Sequence, residues 1–171
     1  MGIEGKTNLK PKLELQKVVP SLNLPSNKGI NVNLWDFKQI KNLVIIFHHG
    51  RTCTYCRSKL KELAKAYKEI QALEAEVLAV SFDKIEDTKD QGEKDTLPFL
   101  LLSDSDGKTS ERFTFVDNSR NAPFPAVFIT DRFGALRYQK MAEEATDLPN
   151  TTEILSWLLL IQIECPECSH L

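Results

Sequence analysis

The chain has 171 residues, and its 22 basic and 24 acidic side chains give a formal net charge of −2. Because both signs are spread along the sequence, the charges indicate no binding to nucleic acid or to an anionic membrane surface. A chain of this length buries roughly 70% of the surface that its unfolded form exposes, so we expect one domain that folds without disulfides or metal. The four cysteines are therefore available for chemistry.

We expect no targeting or membrane-spanning segment in this chain. Its first 20 residues carry scattered charges and lack the apolar run of a signal peptide. The most apolar segment, ILSWLLLIQI at 154–163, has about half of the roughly 20 residues needed to cross a bilayer, so it predicts a buried or interface helix. We therefore expect a soluble cytoplasmic protein, in which paired cysteines more often serve catalysis or metal binding than structural disulfides.

The amino-terminal part of the chain predicts an arm, a hairpin and a buried strand. Residues 1–17 are polar and lysine-rich, as expected of a loose arm before a domain spanning 18–163. Apolar alternation on both sides of Asn27-Lys28-Gly29 predicts a β-hairpin. The β-branched run LVIIF at 43–47 predicts a strand that helices cover on both faces.

The next segment predicts a strand, helix, strand unit. Apolar residues from Cys56 to Leu73 recur at three- and four-residue steps, which predicts one helix of about five turns. EVLAVSF at 76–82 predicts a second buried strand, which the helix joins in parallel to the first by a right-handed crossover. The charged segment 84–96 has only a weak pattern.

Three further strands and a helix complete the predicted fold. LPFLLLSD at 97–104 predicts a short strand, PAVFITD and ALRYQKM at 125–141 predict an antiparallel hairpin, and a helix begins near Thr151, capped by its Thr-Thr-Glu opening. Parallel strands followed by a hairpin and a helix predict an α/β fold with a mixed central β-sheet flanked by helices and an N-terminal hairpin extension. Residues 164–171 form a C-terminal tail with a second Cys-x-x-Cys sequence.

Cys53 and Cys56 lie where the first parallel strand gives way to its crossover helix. The carboxyl end of such a strand is the usual location of an active site. Free backbone N–H groups and a partial positive charge at the helix start stabilise a thiolate. The three-residue spacing lets the second sulfur attack a mixed disulfide formed by the first. The pair therefore predicts a thiol-based redox centre, with a zinc half-site and inert packed thiols as alternatives.

His48, His49 and Arg51 directly precede this pair. Alternation along an extended segment directs only one of the two imidazoles toward the cysteines and leaves the other packed or exposed. The facing imidazole and Arg51 are candidates for tuning the thiol pKa or polarising a substrate. The alternative interpretation of Arg51 is an exposed charge on a loop with no functional role.

The tail sequence IECPECSHL places Cys165, Cys168 and His170 together. Cys-Pro-Glu-Cys is common in zinc knuckles, so one interpretation is a zinc site in the tail. Tetrahedral zinc requires four ligands and this tail supplies at most three, so the fourth would come from a second chain or from the active site. A terminal dithiol that reduces a Cys53–Cys56 disulfide is a second interpretation. Idle thiols at a disordered chain end are the third.

The chain resembles the peroxiredoxin-like branch of the thioredoxin superfamily, the alkyl hydroperoxide reductase and thiol-specific antioxidant group. Five segments carry the resemblance, in family order from Val18 to Leu160: VVPSLNLPSNKGINVNL, LVIIFHHGRTCTYCRSKLKEL, AEVLAVSFD, LPFLLLSDSDGK and PAVFITDRFGALR. The resemblance implies a thioredoxin-like fold, antioxidant activity and a role in cell redox homeostasis, with no required cofactor. It also implies a disulfide or hydroperoxide substrate, a thioredoxin-type thiol donor, and a homodimer as one possible assembly.

Position by position, the resemblance implies where peroxide chemistry would reside. The family's Pro, Thr and peroxide-attacking Cys correspond to His49, Cys53 and Cys56, so both the Pro and the Thr are replaced. The family's arginine before the hairpin corresponds to Pro125. In thioredoxin-like disulfide oxidoreductases a cis-proline occupies that place, so the resemblance implies a cis Phe124–Pro125 bond.

These departures favour a thiol-disulfide oxidoreductase acting through Cys53, Cys56 and Pro125. One alternative is a thiol-dependent peroxidase with Cys56 as the peroxidatic thiol, in which Arg51, Arg120 or a histidine replaces the missing arginine. A second alternative is a zinc-binding protein on a thioredoxin-like scaffold.

Overall fold

The computed structural model describes residues 9–164. Its strands, numbered in chain order, are β1 (Asn23–Pro25), β2 (Asn31–Asn33), β3 (Asn42–Phe47), β4 (Ala75–Ser81), β5 (Leu100–Ser103), β6 (Val116–Asp117), β7 (Ala122–Pro123), β8 (Ala126–Thr130) and β9 (Leu136–Met141). Its α-helices are α1 (Thr54–Lys65), α2 (Tyr67–Ala72), α3 (Ile85–Lys94), α4 (Lys108–Phe113) and α5 (Thr151–Glu164). Short 3-10 helices cover Leu34–Phe37 and Ala145–Asp147.

The central sheet has five strands in the order β5-β4-β3-β8-β9. Strands β3, β4 and β5 are parallel, whereas β8 is antiparallel to β3 and β9 is antiparallel to β8. Every residue of β3 is buried, as its continuous apolar run requires of a strand covered on both faces. The predicted mixed sheet, its parallel pair and its carboxyl-terminal hairpin are confirmed.

The two faces of the sheet bury separate hydrophobic cores. Val44 and Ile46 point into one core, which α1, α2 and α5 cover. Ile45 and Phe47 point into the other, which contains the predicted hairpin β1–β2 and helix α4. Alternation along β3 therefore divides its side chains between both layers, which fixes the register of the strand and the position of its end.

The observed helices differ from the predicted ones in two segments. The single long helix is interrupted at Ala66, whose N–H is shared between the carbonyl groups of Glu62 and Leu63, at 3.3 and 3.1 Å. Within the weakly patterned segment 84–96 the chain forms α3, whose buried residues are Thr88, Gln91 and Gly92. Because these are polar or small, hydrophobic periodicity gives no signal for α3. Helix α4 and the small hairpin β6–β7 were also not predicted.

Helix α5 begins where predicted, with a different cap. The side chain of Asn150 accepts the N–H of Glu153 at 2.8 Å, so Asn150 caps the helix rather than the threonines that follow it. One face of α5 buries Ile154, Leu158 and Ile161. None of the helices between residues 9 and 164 is long and apolar enough to cross a membrane.

Segments near the amino terminus bond to both outer strands of the sheet. Within the predicted loose arm, Gln16 and Lys17 exchange backbone hydrogen bonds with Leu136 of β9, at 2.7 and 2.9 Å. On the opposite side, Asn27 donates to the carbonyl of Leu101 in β5 and accepts its N–H. The described part of the arm, residues 9–17, is therefore attached to the domain.

Candidate active site

Two free thiols lie where β3 leads into α1. Cys53 is the N-cap of α1, and its Sγ accepts the backbone N–H of Cys56 at 3.2 Å. Cys53 is partly exposed, whereas Cys56 is 1% exposed and packs in the core beneath α1. The sulfur of Cys53 is thus accessible to solvent, and the sulfur of Cys56 lies buried next to it.

The environment of Cys56 favours the neutral thiol. Burial raises its pKa far above the ordinary value, and its hydrogen bond with the side chain of Cys53 raises the pKa further. The N–H of His49, 3.4 Å from Cys56 Sγ, and the charge of Arg120 act in the opposite direction and are outweighed. Cys56 is therefore protonated at neutral pH and able to donate its S–H to Cys53.

The two histidines occupy different environments. His48 is 2% exposed, and its Nδ1 accepts the N–H of Gly50 at 3.1 Å, so its ring supports the turn that follows β3. Burial, aided by the neighbouring His49, lowers the pKa of His48 to about 4. His49 is half-buried beside the cysteines, and burial followed by the charge of Arg120 lowers its pKa as well. Both imidazoles are therefore neutral at physiological pH.

Arg120 supplies the positive charge next to the thiols. It follows β6 on an exposed loop, and its Nη1 lies 3.3 Å from each ring nitrogen of His49. Glu144 holds its guanidinium through a 2.6 Å ion pair, and Asp117 lies 3.8 Å away. Of the candidates for the missing family arginine, Arg120 is thus the one that the structure brings to His49.

Arg51 is directed elsewhere. Its backbone N–H donates to Asp83 at 2.8 Å, and its side chain pairs with Asp87 of α3 at 3.3 Å. Gly50 has a φ of +106°, and a Cβ on it would lie 2.8 Å from Asp83 Oδ1. The loop therefore requires glycine here, and Asp83 holds it in place.

Pro125 lies buried immediately before β8, whose first residue pairs with Phe47. The predicted cis peptide is wrong, because the Phe124–Pro125 bond is trans. The backbone on both sides of this bond pairs with other segments: the N–H of Phe124 donates to the carbonyl of Phe115, and the carbonyl of Pro125 accepts the N–H of Ala142, each at 2.8 Å. The tail candidates Cys165, Cys168 and His170 lie outside the described residues.

Sequence reasoning missed Asp83, Asp117 and Glu144. A signal for Asp83 was available, because it follows a buried parallel strand at the sheet edge where the cysteines lie. Asp117 and Glu144 act through Arg120, and no local pattern joins these three positions. The assembled group consists of two thiols, a neutral imidazole and a guanidinium, which is an arrangement suited to oxidation and reduction of the dithiol.

Comparisons with known proteins agree with this chemistry. The AhpC/TSA family profile matches residues 15–139. Peroxiredoxin Bcp of Escherichia coli is 32% identical over 101 residues, which cover 59% of this chain and 64% of that protein. Peroxiredoxin bcp1 of Schizosaccharomyces pombe is 31% identical over 96 residues, covering 56% and 49%. The chain thus spans about half to just under two thirds of the length of these curated relatives.

Solved structures support the fold. The chain matches peroxidoxin BcpB of Mycobacterium tuberculosis with a TM-score of 0.78 and 18% identity, covering 87% of this chain and 98% of that one. It matches AhpC of Enterococcus faecalis with the same score and identity, covering 87% and 92%.

Acidification should destabilise the wild type more than a His48→Asn variant. The folded pKa of about 4 lies below the ordinary value of 6.5, so the unfolded chain binds more protons between these pH values. The free energy of unfolding therefore falls as the pH falls through this window, by at most about 3 kcal/mol from this group. Urea unfolding at several pH values measures the effect, and equal pH dependence in both proteins would contradict it.

Proposed function

Because the chain belongs to the AhpC/TSA family, we propose that it is a thiol-dependent peroxidase that reduces hydroperoxides through Cys53 and Cys56. The peroxiredoxin names of its relatives favour this activity over the disulfide exchange that the sequence alone favoured. Both activities use the same dithiol, so the broader assignment to thiol-based oxidoreductases is common to them.

The proposed reaction has three steps. A thiolate attacks the hydroperoxide, its sulfur takes one oxygen as sulfenic acid, and the departing alkoxide takes a proton to leave as an alcohol. The second thiol then attacks the sulfenic sulfur, which forms the Cys53–Cys56 disulfide and releases water. A dithiol donor supplies two electrons and two protons to restore both thiols.

We assign the first attack to Cys53, and one observation carries this choice: Cys53 is the partly exposed sulfur that caps α1. Its Sγ receives the N–H of Cys56 at 3.2 Å, and a helix start stabilises negative charge. Burial keeps Cys56 protonated, which suits a resolving thiol that attacks only after the first sulfur is oxidised. The family resemblance implied the reverse order, with Cys56 as the peroxidatic thiol.

Arg120 is the residue that polarises the peroxide in this proposal. A positive donor beside the sulfurs stabilises the charge that develops on the departing oxygen. The ion pair with Glu144 fixes the guanidinium and leaves part of it exposed to a substrate. Pro125 then has no role in polarisation and shapes the backbone beside β3.

The proposed reaction requires no bound cofactor. Its donor is a thioredoxin-type protein or another dithiol, and the reaction needs a compartment that keeps thiols reduced, such as the cytoplasm. The tail cysteines are a further candidate electron relay.

Peroxide should oxidise the reduced protein faster than a small-molecule disulfide does, because Arg120 assists only the departing oxygen. About one peroxide should be consumed for each pair of thiols lost from Cys53 and Cys56. Stopped-flow oxidation with each oxidant, in a Cys165→Ser/Cys168→Ser background, measures both rates. Rapid disulfide exchange with no peroxide consumption would refute the peroxidase.

Single cysteine variants in the same background should separate the two thiols. Cys56→Ser should retain the first turnover and accumulate sulfenic acid on Cys53, which a dimedone-type probe and mass spectrometry detect. Cys53→Ser should react slowly at neutral pH and faster as the pH rises, because its remaining thiol has a raised pKa. A fast reaction that places sulfenic acid on Cys56 in Cys53→Ser would reverse the assignment.

Arg120→Ala should slow peroxide oxidation of the thiols by about 10²- to 10³-fold, as expected for loss of one stabilising donor. Arg51→Ala is the matched control and should react at close to the wild-type rate, because that side chain pairs with Asp87. Rapid-mixing kinetics at saturating reductant measure both variants. A collapse in Arg51→Ala with normal Arg120→Ala rates would assign the role to the other arginine.

A further inference from the structure

We infer that His49, Cys53 and Cys56 form a Zn²⁺ site in the reduced protein. One ring nitrogen of His49 and the two sulfurs all lie within 4.8 Å of one another. These atom types are the ligands that zinc prefers, and three protein ligands with an open fourth position form a recognised class of zinc site. Metal binding of this kind is distinct from the proposed peroxidase reaction and does not depend on it.

The distances require only a small adjustment. Zinc binds sulfur at about 2.3 Å and imidazole nitrogen at about 2.0–2.1 Å, so tetrahedral ligand atoms lie roughly 3.4–3.8 Å apart. The three ligand atoms now lie up to 4.8 Å apart, which exceeds the tetrahedral range by about 1 Å. His49 and Cys53 are partly exposed and can rotate inward, while buried Cys56 supplies the fixed ligand.

The ring nitrogens of His49 remain accessible to a metal despite the neighbouring Arg120. Its Nη1 is 3.3 Å from both nitrogens. In the plane of the ring, that position would bring Nη1 closer to Cε1 than van der Waals contact allows, so the guanidinium nitrogen lies over the ring face. The single in-plane lone pair of the neutral imidazole is therefore not occupied by Arg120.

The charges at the site suit a divalent ion. Zn²⁺ displaces the proton of the Cys56 thiol to solvent as it binds. Two thiolates and a neutral imidazole then bring Zn²⁺ to zero net charge, which limits the cost of placing the ion in a half-buried site. Arg120 adds a positive charge nearby, and its ion pair with Glu144 and the adjacent Asp117 offset that charge. Water completes the fourth position on the exposed side.

Zinc and peroxide then compete for the same thiols, a consequence that rests on the proposed function. With zinc bound, neither thiolate is free to attack. Hydroperoxide that does oxidise the pair takes two electrons from the sulfurs and two protons from solvent, and yields the disulfide, an alcohol, water and free Zn²⁺. Since a disulfide is not a thiolate ligand, oxidation empties the site.

Binding is tested on the reduced full-length protein carrying Cys165→Ser and Cys168→Ser, which removes the tail thiols as ligands. Zn²⁺ titration against a chromophoric chelator should give about one ion per chain. Co²⁺ in its place should show sulfur-to-metal charge transfer in the near ultraviolet. His49→Ala should weaken binding by more than the roughly 10-fold lower limit for outer-shell changes.

Cys53→Ser and Cys56→Ser should each lose the charge-transfer intensity of one sulfur, whereas Arg51→Ala should bind like the parent. Circular dichroism checks that each variant folds. No binding in the parent, or binding unchanged by His49→Ala, would refute the site. Because these titrations contain no peroxide, a failed peroxidase assay leaves the binding result intact. Zinc retained after complete thiol oxidation would also refute the proposed site, because the ligands could not then be the two thiolates.

Discussion

The position of Cys53 and Cys56 depends on where β3 ends in the core. All six residues of the strand pair with β4 on one side, and Leu43–Phe47 pair with β8 on the other. Its last residue, Phe47, packs against Phe113 and Phe128, with ring centroids 5.2 and 5.7 Å away. Six residues separate this anchor from Thr54, the first residue of α1, so the packing of the core sets the position of the cysteines. The loop between is held by polar contacts from His48 and Asp83.

The chemistry of the site follows from which groups carry charge. Both imidazoles are neutral, Cys56 is a buried thiol, and the nearby positive charge belongs to Arg120. Arg120 lies on an exposed loop, and its ion pairs with Glu144 and Asp117 hold this charge beside the thiols. The proposed peroxidase reaction and the proposed zinc site use the same two sulfurs, so the state of the dithiol decides which of them is available.

Hydrophobic periodicity predicted the central sheet, the hairpin β1–β2 and α5 because their buried residues are apolar. It missed α3, where the buried positions are Thr88, Gln91 and Gly92. The location of the thiols at a strand-to-helix junction could also be predicted, since strand and helix are both local patterns. The contact of Arg120 with His49 joins positions 71 residues apart, and only the folded chain selects it over Arg51, which lies nearer in sequence. The resemblance to disulfide oxidoreductases suggested the wrong isomer at Pro125, because a shared position does not fix the backbone around it.

The attachment of the amino-terminal segments to β5 and β9 affects how copies of this chain can associate. An outer strand with free N–H and C=O groups is a template on which another chain can add a strand. Here residues of the same chain already occupy Leu101 on one outer strand and Leu136 on the other. Two molecules cannot merge into one continuous sheet through those positions unless they first release their own segments. Detachment of either segment would free those backbone groups as an edge on which a second chain can add a strand.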